Sequence, residues 1–85
     1  MSDARSGGWF LYVIECADGS LYTGITTDPG ARFAAHAAGR GARYMRSHAP
    51  VKLVFTEPHP DRSSASKAEY AFKRLPAAEK RRRVR

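Results

Sequence analysis

Apolar positions recur along the chain with two different periods, and the change of period marks the elements. Trp9-Phe10-Leu11-Tyr12-Val13-Ile14 is an unbroken aromatic and β-branched run. That is the pattern of a strand covered on both faces, and it predicts a strand over Trp9–Cys16. Ala17-Asp18-Gly19 is a turn signal, with Gly19 suited to positive φ, and Ser20–Thr26 is the return strand. A helix follows, with Thr27 or Asp28 as N-cap, Pro29 in the first turn and Gly39 as its stop. Phe33 and Ala37 are expected on its core face, with Arg32 and His36 on the neighbouring one. A Gly- and Arg-rich connection, Gly39 to Ser47, allows a short helix around Ala42–Arg46, and Pro50 ends it. Val51–Thr56 is the third strand, broken off by Pro58 and Pro60. Ser63 or Ser64 caps a helix to about Leu75, in which Ala65, Ala68, Phe72 and Leu75 share the sheet-facing side. Pro76 interrupts and opens a short basic helix at its first position.

The order β-β-α-(α)-β-α-α predicts an α+β fold: a three-stranded, mainly antiparallel sheet flanked by helices. Residues 9–75 form one small domain, residues 76–85 a basic helix or tail belonging to it, and the Gly- and Ser-rich residues 1–8 a disordered start. The hairpin register stays open at this level. A two-residue Asp-Gly loop sends Tyr12 and Tyr22 to opposite faces. A three-residue loop with Gly19 as a bulge pairs Cys16 with Ser20 and gathers Tyr12, Tyr22 and Gly24 on one face. The second is the expectation, because a shared site requires it.

Composition sharpens the picture through charge. The 85 residues carry a net charge of +7, and its distribution is uneven. Residues 1–61 balance six bases against six acids, whereas residues 62–85 hold nine bases and two acids. A second basic stretch, Arg40 to Lys52, contains no acid. A polyanion is the natural partner for such surfaces. No apolar run reaches the ~18–20 residues needed to span a bilayer, and the start has no apolar core of a signal peptide. The single cysteine, Cys16, reads as a small buried strand residue in a reducing cytoplasm.

Familiar catalytic signatures are missing: no Gly-rich phosphate loop, no Cys/His metal cluster and no Ser–His–Asp arrangement can be assembled. What remains is a set of polar groups on otherwise apolar elements: Tyr12, Tyr22, Arg32, His36 and Glu69. Each has an ordinary structural role. The tyrosines could pack across strands, Arg32 and His36 could form a solvated face, and Glu69 could pair with Lys73 or close a capping box with Ser66. Tyr44 with Arg40, Arg43 and Arg46 could form a stacking and phosphate-contact surface or simply anchor the connection.

In combination these groups resemble a known family. Phe10-Leu11-Tyr12, then Tyr22-Thr23-Gly24, then Arg32 with His36 one turn on, then Glu69 on a later helix, is similar to the GIY-YIG nuclease domain over roughly residues 9–75. Asp18–Thr26 together with Gly39-Arg40-Gly41-Ala42-Arg43-Tyr44 resembles its small stand-alone bacterial branch, the YhbQ-like proteins. The position of the first motif's leading glycine holds Phe10, and the chain contains no asparagine, a residue that many family nucleases use after the glutamate.

The resemblance implies single-metal hydrolysis of phosphodiesters in DNA rather than RNA, in repair or recombination. Tyr12 would act as general base, Tyr22 would shape and polarise the site, Arg32 would contact the phosphate and His36 would assist proton handling. Glu69 would bind a single Mg²⁺ or Mn²⁺. Arg40, Arg43, Tyr44, Arg46 and Lys73 are the expected nucleic-acid contacts, with a partner protein or a homodimer supplying specificity. The alternative is a non-catalytic, salt-dependent nucleic-acid-binding module on the same fold.

Overall fold

The computed structural model describes residues 8–41 and 43–84, with the side chains of Tyr44 and Arg46 outside the described set. Apart from Gly8, the expected disordered start therefore lies outside the described residues, as does Ala42 of the expected short helix.

Three strands, β1 (Trp9–Cys16), β2 (Leu21–Thr26) and β3 (Pro50–His59), form one sheet in the order β2-β1-β3. Both pairings are antiparallel. The helices are α1 (Pro29–Ala37), α2 (Tyr44–Ser47), α3 (Arg62–Lys73) and α4 (Ala77–Arg83). The central position of β1 explains its continuous apolar run: Leu11, Tyr12, Val13 and Ile14 are each at most 1% exposed. Their side chains alternate between two cores. Tyr12, Ile14 and Cys16 pack with Met45, Phe33 and Leu53 on the α1 side. Leu11 and Val13 pack with Phe72, Ala68, Leu75 and Val84 on the α3–α4 side. Burial pushes the Cys16 thiol up from its ordinary value, in keeping with a packing role.

The hairpin closes through a three-residue loop. The Cys16 N–H donates to Ser20 O at 2.9 Å, and the Gly19 N–H donates to Cys16 O at 2.9 Å. Gly19 takes φ +86°, the left-handed region in which a Cβ is costly. Asp18 accepts from the backbone and hydroxyl of Ser20 at 3.0 and 2.6 Å. Tyr12 then stands opposite Gly24, and Ile14 opposite Tyr22, so both tyrosines lie on one face.

Helix α1 starts at Asp28, whose carboxylate accepts from the Ala31 N–H at 3.1 Å. It ends in a Schellman-type turn. Gly39, at φ +82°, donates to His36 O at 3.0 Å, and Arg40 N–H donates to Ala35 O at 2.9 Å, which satisfies carbonyls the helix leaves over. Ala37 is exposed, contrary to expectation, while His36 is buried. The inward stripe of α1 is Pro29, Arg32, Phe33 and His36, so its polar residues occupy positions that apolar residues usually hold.

Other boundaries move for identifiable reasons. β3 begins at Pro50 and runs on through Pro58 to His59, because an edge strand can place a residue without an N–H on its outer side. His59 ends this strand, and it bonds Glu57 at 2.9 Å. Pairing slips between Val13↔Phe55 and Ile14↔Leu53, leaving Val54 as a bulge residue that joins Phe55 on the α3–α4 side. Helix α3 is capped by Asp61, which accepts from Ser64 N–H at 2.8 Å, and not by Ser63 or Ser64. Pro76 stands at the N-cap of α4, one residue before its first turn.

Phe72 is 2% exposed and stacks on Phe55, with ring centroids 6.3 Å apart, joining α3 to the sheet. Phe72→Ala should therefore cost about 3–5 kcal/mol. Urea unfolding should show this as a lower midpoint at unchanged slope.

Candidate active site

Tyr12 sits at the middle of the central strand, its ring on the α1 side. Directly across, β2 has Gly24; a Cβ there would lie 2.6 Å from the Tyr12 hydroxyl. The tyrosine ring thus lies over bare backbone and reaches α1. Its hydroxyl meets His36 Nε2 at 3.1 Å, a bond buried on all sides. Tyr22 completes a cluster of rings: its centroid lies 6.3 Å from that of Tyr12 and 5.4 Å from that of His36. A second glycine serves the same contact. The backbone of Gly41, in the connection after α1, crosses His36 so closely that a Cβ would overlap Nδ1.

Charge surrounds this pair. Burial raises the Tyr12 phenol above its ordinary value of 10.0. A hydrogen bond from Arg32 opposes that rise, as does the Arg32 charge, while Tyr22 and Glu69 reinforce it. Burial, followed by the Arg32 charge, lowers His36 below its ordinary 6.5. At neutral pH the phenol is protonated and the imidazole neutral, so the Nδ1–H tautomer lets Tyr12 donate to Nε2. Glu69, on α3, is felt by the same phenol and is half-buried, bonded to Lys73 Nζ at 3.1 Å. Its helix begins at Arg62, so the capping box with Ser66 does not form.

The fold therefore brings Tyr12, Tyr22 and His36 into contact, and the charges of Arg32 and Glu69 act on the phenol in opposite directions. Arg40 and Arg43 are exposed on the connection that crosses His36. Tyr44 and Arg46 belong to α2, their side chains outside the described set. Lys73 is engaged by Glu69. Sequence reasoning missed the packing of Gly41 on His36; the signal was the Gly-Arg-Gly spacing. It also missed the link between His48 Nδ1 and Asp18 Oδ2 at 2.7 Å. That link, with the Ala17 N–H donating to Ala49 O at 2.8 Å, joins the hairpin turn to the segment before β3. Hydrogen bonds from Ser20 and His48 hold the Asp18 carboxyl well below the usual range.

Among the described residues, no group of three or more His, Cys, Asp or Glu is placed to hold a metal ion. Glu69 is the carboxylate among the described residues that acts on the Tyr12 phenol. That fits a Mg²⁺-type ion, which commonly takes one or two carboxylates and completes its shell with substrate phosphate and water.

A model of the GIY-YIG catalytic domain matches residues 8–82. The chain belongs to the GIY-YIG family. Its relatives lie in the small stand-alone branch, the UPF0213 proteins. It is 54% identical over 72 residues to one from Xanthomonas axonopodis pv. citri, covering 85% of this chain and 71% of that one. It is 51% identical to one from Cupriavidus pinatubonensis, covering 85% and 80%. The solution NMR structure of a UPF0213 protein from Bacillus halodurans superposes with TM-score 0.58 at 42% identity, covering 91% of this chain and 82% of that one. A protein from E. faecalis gives TM-score 0.54 at 42% identity, over 81% and 74%. This GIY-YIG chain thus shares both sequence and fold with the branch. No described helix is long and apolar enough to cross a membrane.

A His lowered in the folded state contributes stability that is present above its ordinary pKa and is lost as pH falls below it. The GIY-YIG domain should accordingly weaken as pH drops below 6.5. His36→Gln should flatten that dependence over the same window, as read by urea unfolding at successive pH values.

Proposed function

We propose that the protein is a divalent-metal-dependent endonuclease that hydrolyses phosphodiester bonds in DNA. The observation that carries this reading is the buried Tyr12–His36 hydrogen bond with Arg32 on the same phenol. The pair supplies a place to put a proton, and the guanidinium supplies a planar fork for phosphate oxygens.

In this reading Tyr12 passes its proton to His36 Nε2 and, as phenolate, takes a proton from the attacking water. The water oxygen bonds to phosphorus as the bond to the leaving oxygen breaks; the leaving oxygen takes a proton from solvent, and His36 returns its proton to solvent, which restores the neutral pair. Arg32 turns from the phenol to the phosphate. Tyr22 packs on both rings and holds them in register. Glu69 would hold Mg²⁺ or Mn²⁺, releasing Lys73 to the nucleic-acid backbone beside Arg40, Arg43, Tyr44 and Arg46. When bound, the ion supplies positive charge to the phosphate and leaving oxygen. Compensating the Glu69 charge also removes one of the influences that keep Tyr12 protonated.

A second reading has its own support. Tyr12 is 1% exposed and Glu69 is already paired with Lys73, an arrangement compatible with a module that binds nucleic acid by phosphate contacts without cleaving it. The two readings separate in one experiment, in which the purified protein is incubated with nicked, branched and single-stranded DNA and RNA in Mg²⁺ or Mn²⁺. Cleavage should rise with pH from neutral into the alkaline range. Tyr12→Phe, Arg32→Ala and Glu69→Ala should each lower it by at least about a hundredfold. Cleavage surviving all three would exclude this site. Binding that persists in Glu69→Ala, with no turnover by the wild type, would establish the second reading.

A further inference from the structure

The sheet face opposite Tyr12 carries its own concentration of positive charge. Two adjoining depressions of about 290 and 200 Å³ open there, between α4 and the hairpin, and share Leu21 and Arg81. Leu21, Val54 and Val84 give them an apolar floor, and Lys52, Lys80 and Arg81 a cationic rim; Glu15 is the sole carboxylate among the lining residues. Lys52 and Lys80 take part in no ion pair among the described residues. Arg81 donates from Nη2 to the Gly19 carbonyl at 3.0 Å, which ties α4 to the hairpin turn and leaves further N–H groups of its guanidinium to bind.

Crowded bases in the last turn of α4 would by themselves be explained by the partial negative charge of the helix end. Lys52 is not, because it arrives from β3 and completes the rim from the other side. A groove with cations from two elements, one acid and an apolar floor is built for an anion longer than a single phosphate.

We propose that this groove is a second nucleic-acid contact, which holds a phosphodiester backbone on the face of the sheet away from Tyr12. The proposal rests on the nucleic-acid reading of the Tyr12 site only for its choice of ligand. Binding here needs neither a metal nor any residue of that site. A polynucleotide, unlike a free phosphate, gains from release of its own condensed counterions at each contact.

The test is fluorescence anisotropy of a labelled oligonucleotide, titrated with the full chain across a salt series without divalent metal. Lys52→Ser/Lys80→Ser leaves the Arg81 anchor in place. It should reduce the slope of log K against log salt by about 1.4–1.8, two phosphate contacts' worth. Arg62→Ser/Lys67→Ser removes the same charge from α3, outside the groove, and should change the slope by much less. Equal effects of the two double variants would overturn the proposal. So would competition by inorganic phosphate or a mononucleotide as effective as that by unlabelled oligonucleotide, or no binding by the wild type at low salt. Cleavage separates the two readings. If the wild type cuts, the groove variant should raise KM and keep kcat. If the wild type cuts nothing while the slope still shifts, the groove stands and the endonuclease reading falls.

Discussion

The ring of Tyr12 lies over the backbone of Gly24, its antiparallel partner on β2, and that overlap lets a strand phenol reach a helix histidine. Any side chain at Gly24 would fill the space the hydroxyl occupies. The contact in turn depends on the hairpin register, which rests on Gly19 in the left-handed region and the three-residue loop it closes. A shift of one residue would send Tyr22 to the other core. Gly41 repeats the device from the far side of His36. The polar pair is thus enclosed by two stretches of bare backbone, which approach more closely than side chains could.

Enclosure sets the electrostatics. Burial alone moves Tyr12 and His36 away from their charged forms, and Arg32 pulls only the phenol back. The pair rests neutral, joined by one hydrogen bond and subject to the opposing charges of the Arg32 guanidinium and the Glu69 carboxylate. Its protonation therefore answers to changes in charge at Arg32 and Glu69, both of which are only partly buried. The small domain keeps its inert core and its titratable core on opposite faces of β1. Neither face has to accommodate the demands of the other.

Much of this was legible in the chain. β1 announced itself through its unbroken apolar run, and the antiparallel α+β order, the Asp28 start and Gly39 stop of α1, and the sheet-facing stripe of α3 followed from periodicity and turn chemistry. The residues around Tyr12 were visible as polar groups on apolar elements, and their spacing and order pointed to the GIY-YIG family that the domain match shows. Local signals misplaced other features. The run of β3 through Pro58 depends on its being an edge, which is a property of the sheet. The cap of α3 went to Asp61 because only the folded chain decides which of several competing cap residues turns its side chain onto the helix.

What the sequence determined by itself was therefore the identity and order of the elements, because short-range periodicity, caps and turns act between neighbours. The tertiary structure alone decided the rest: the bulge at Val54, the burial of His36 in place of Ala37, the closeness of Gly41 to His36, and the joining of β3 and α4 around one basic groove. Each is a meeting of residues far apart in the chain. Their proximity depends on how layers stack and on the space that absent side chains leave, and no local pattern encodes that.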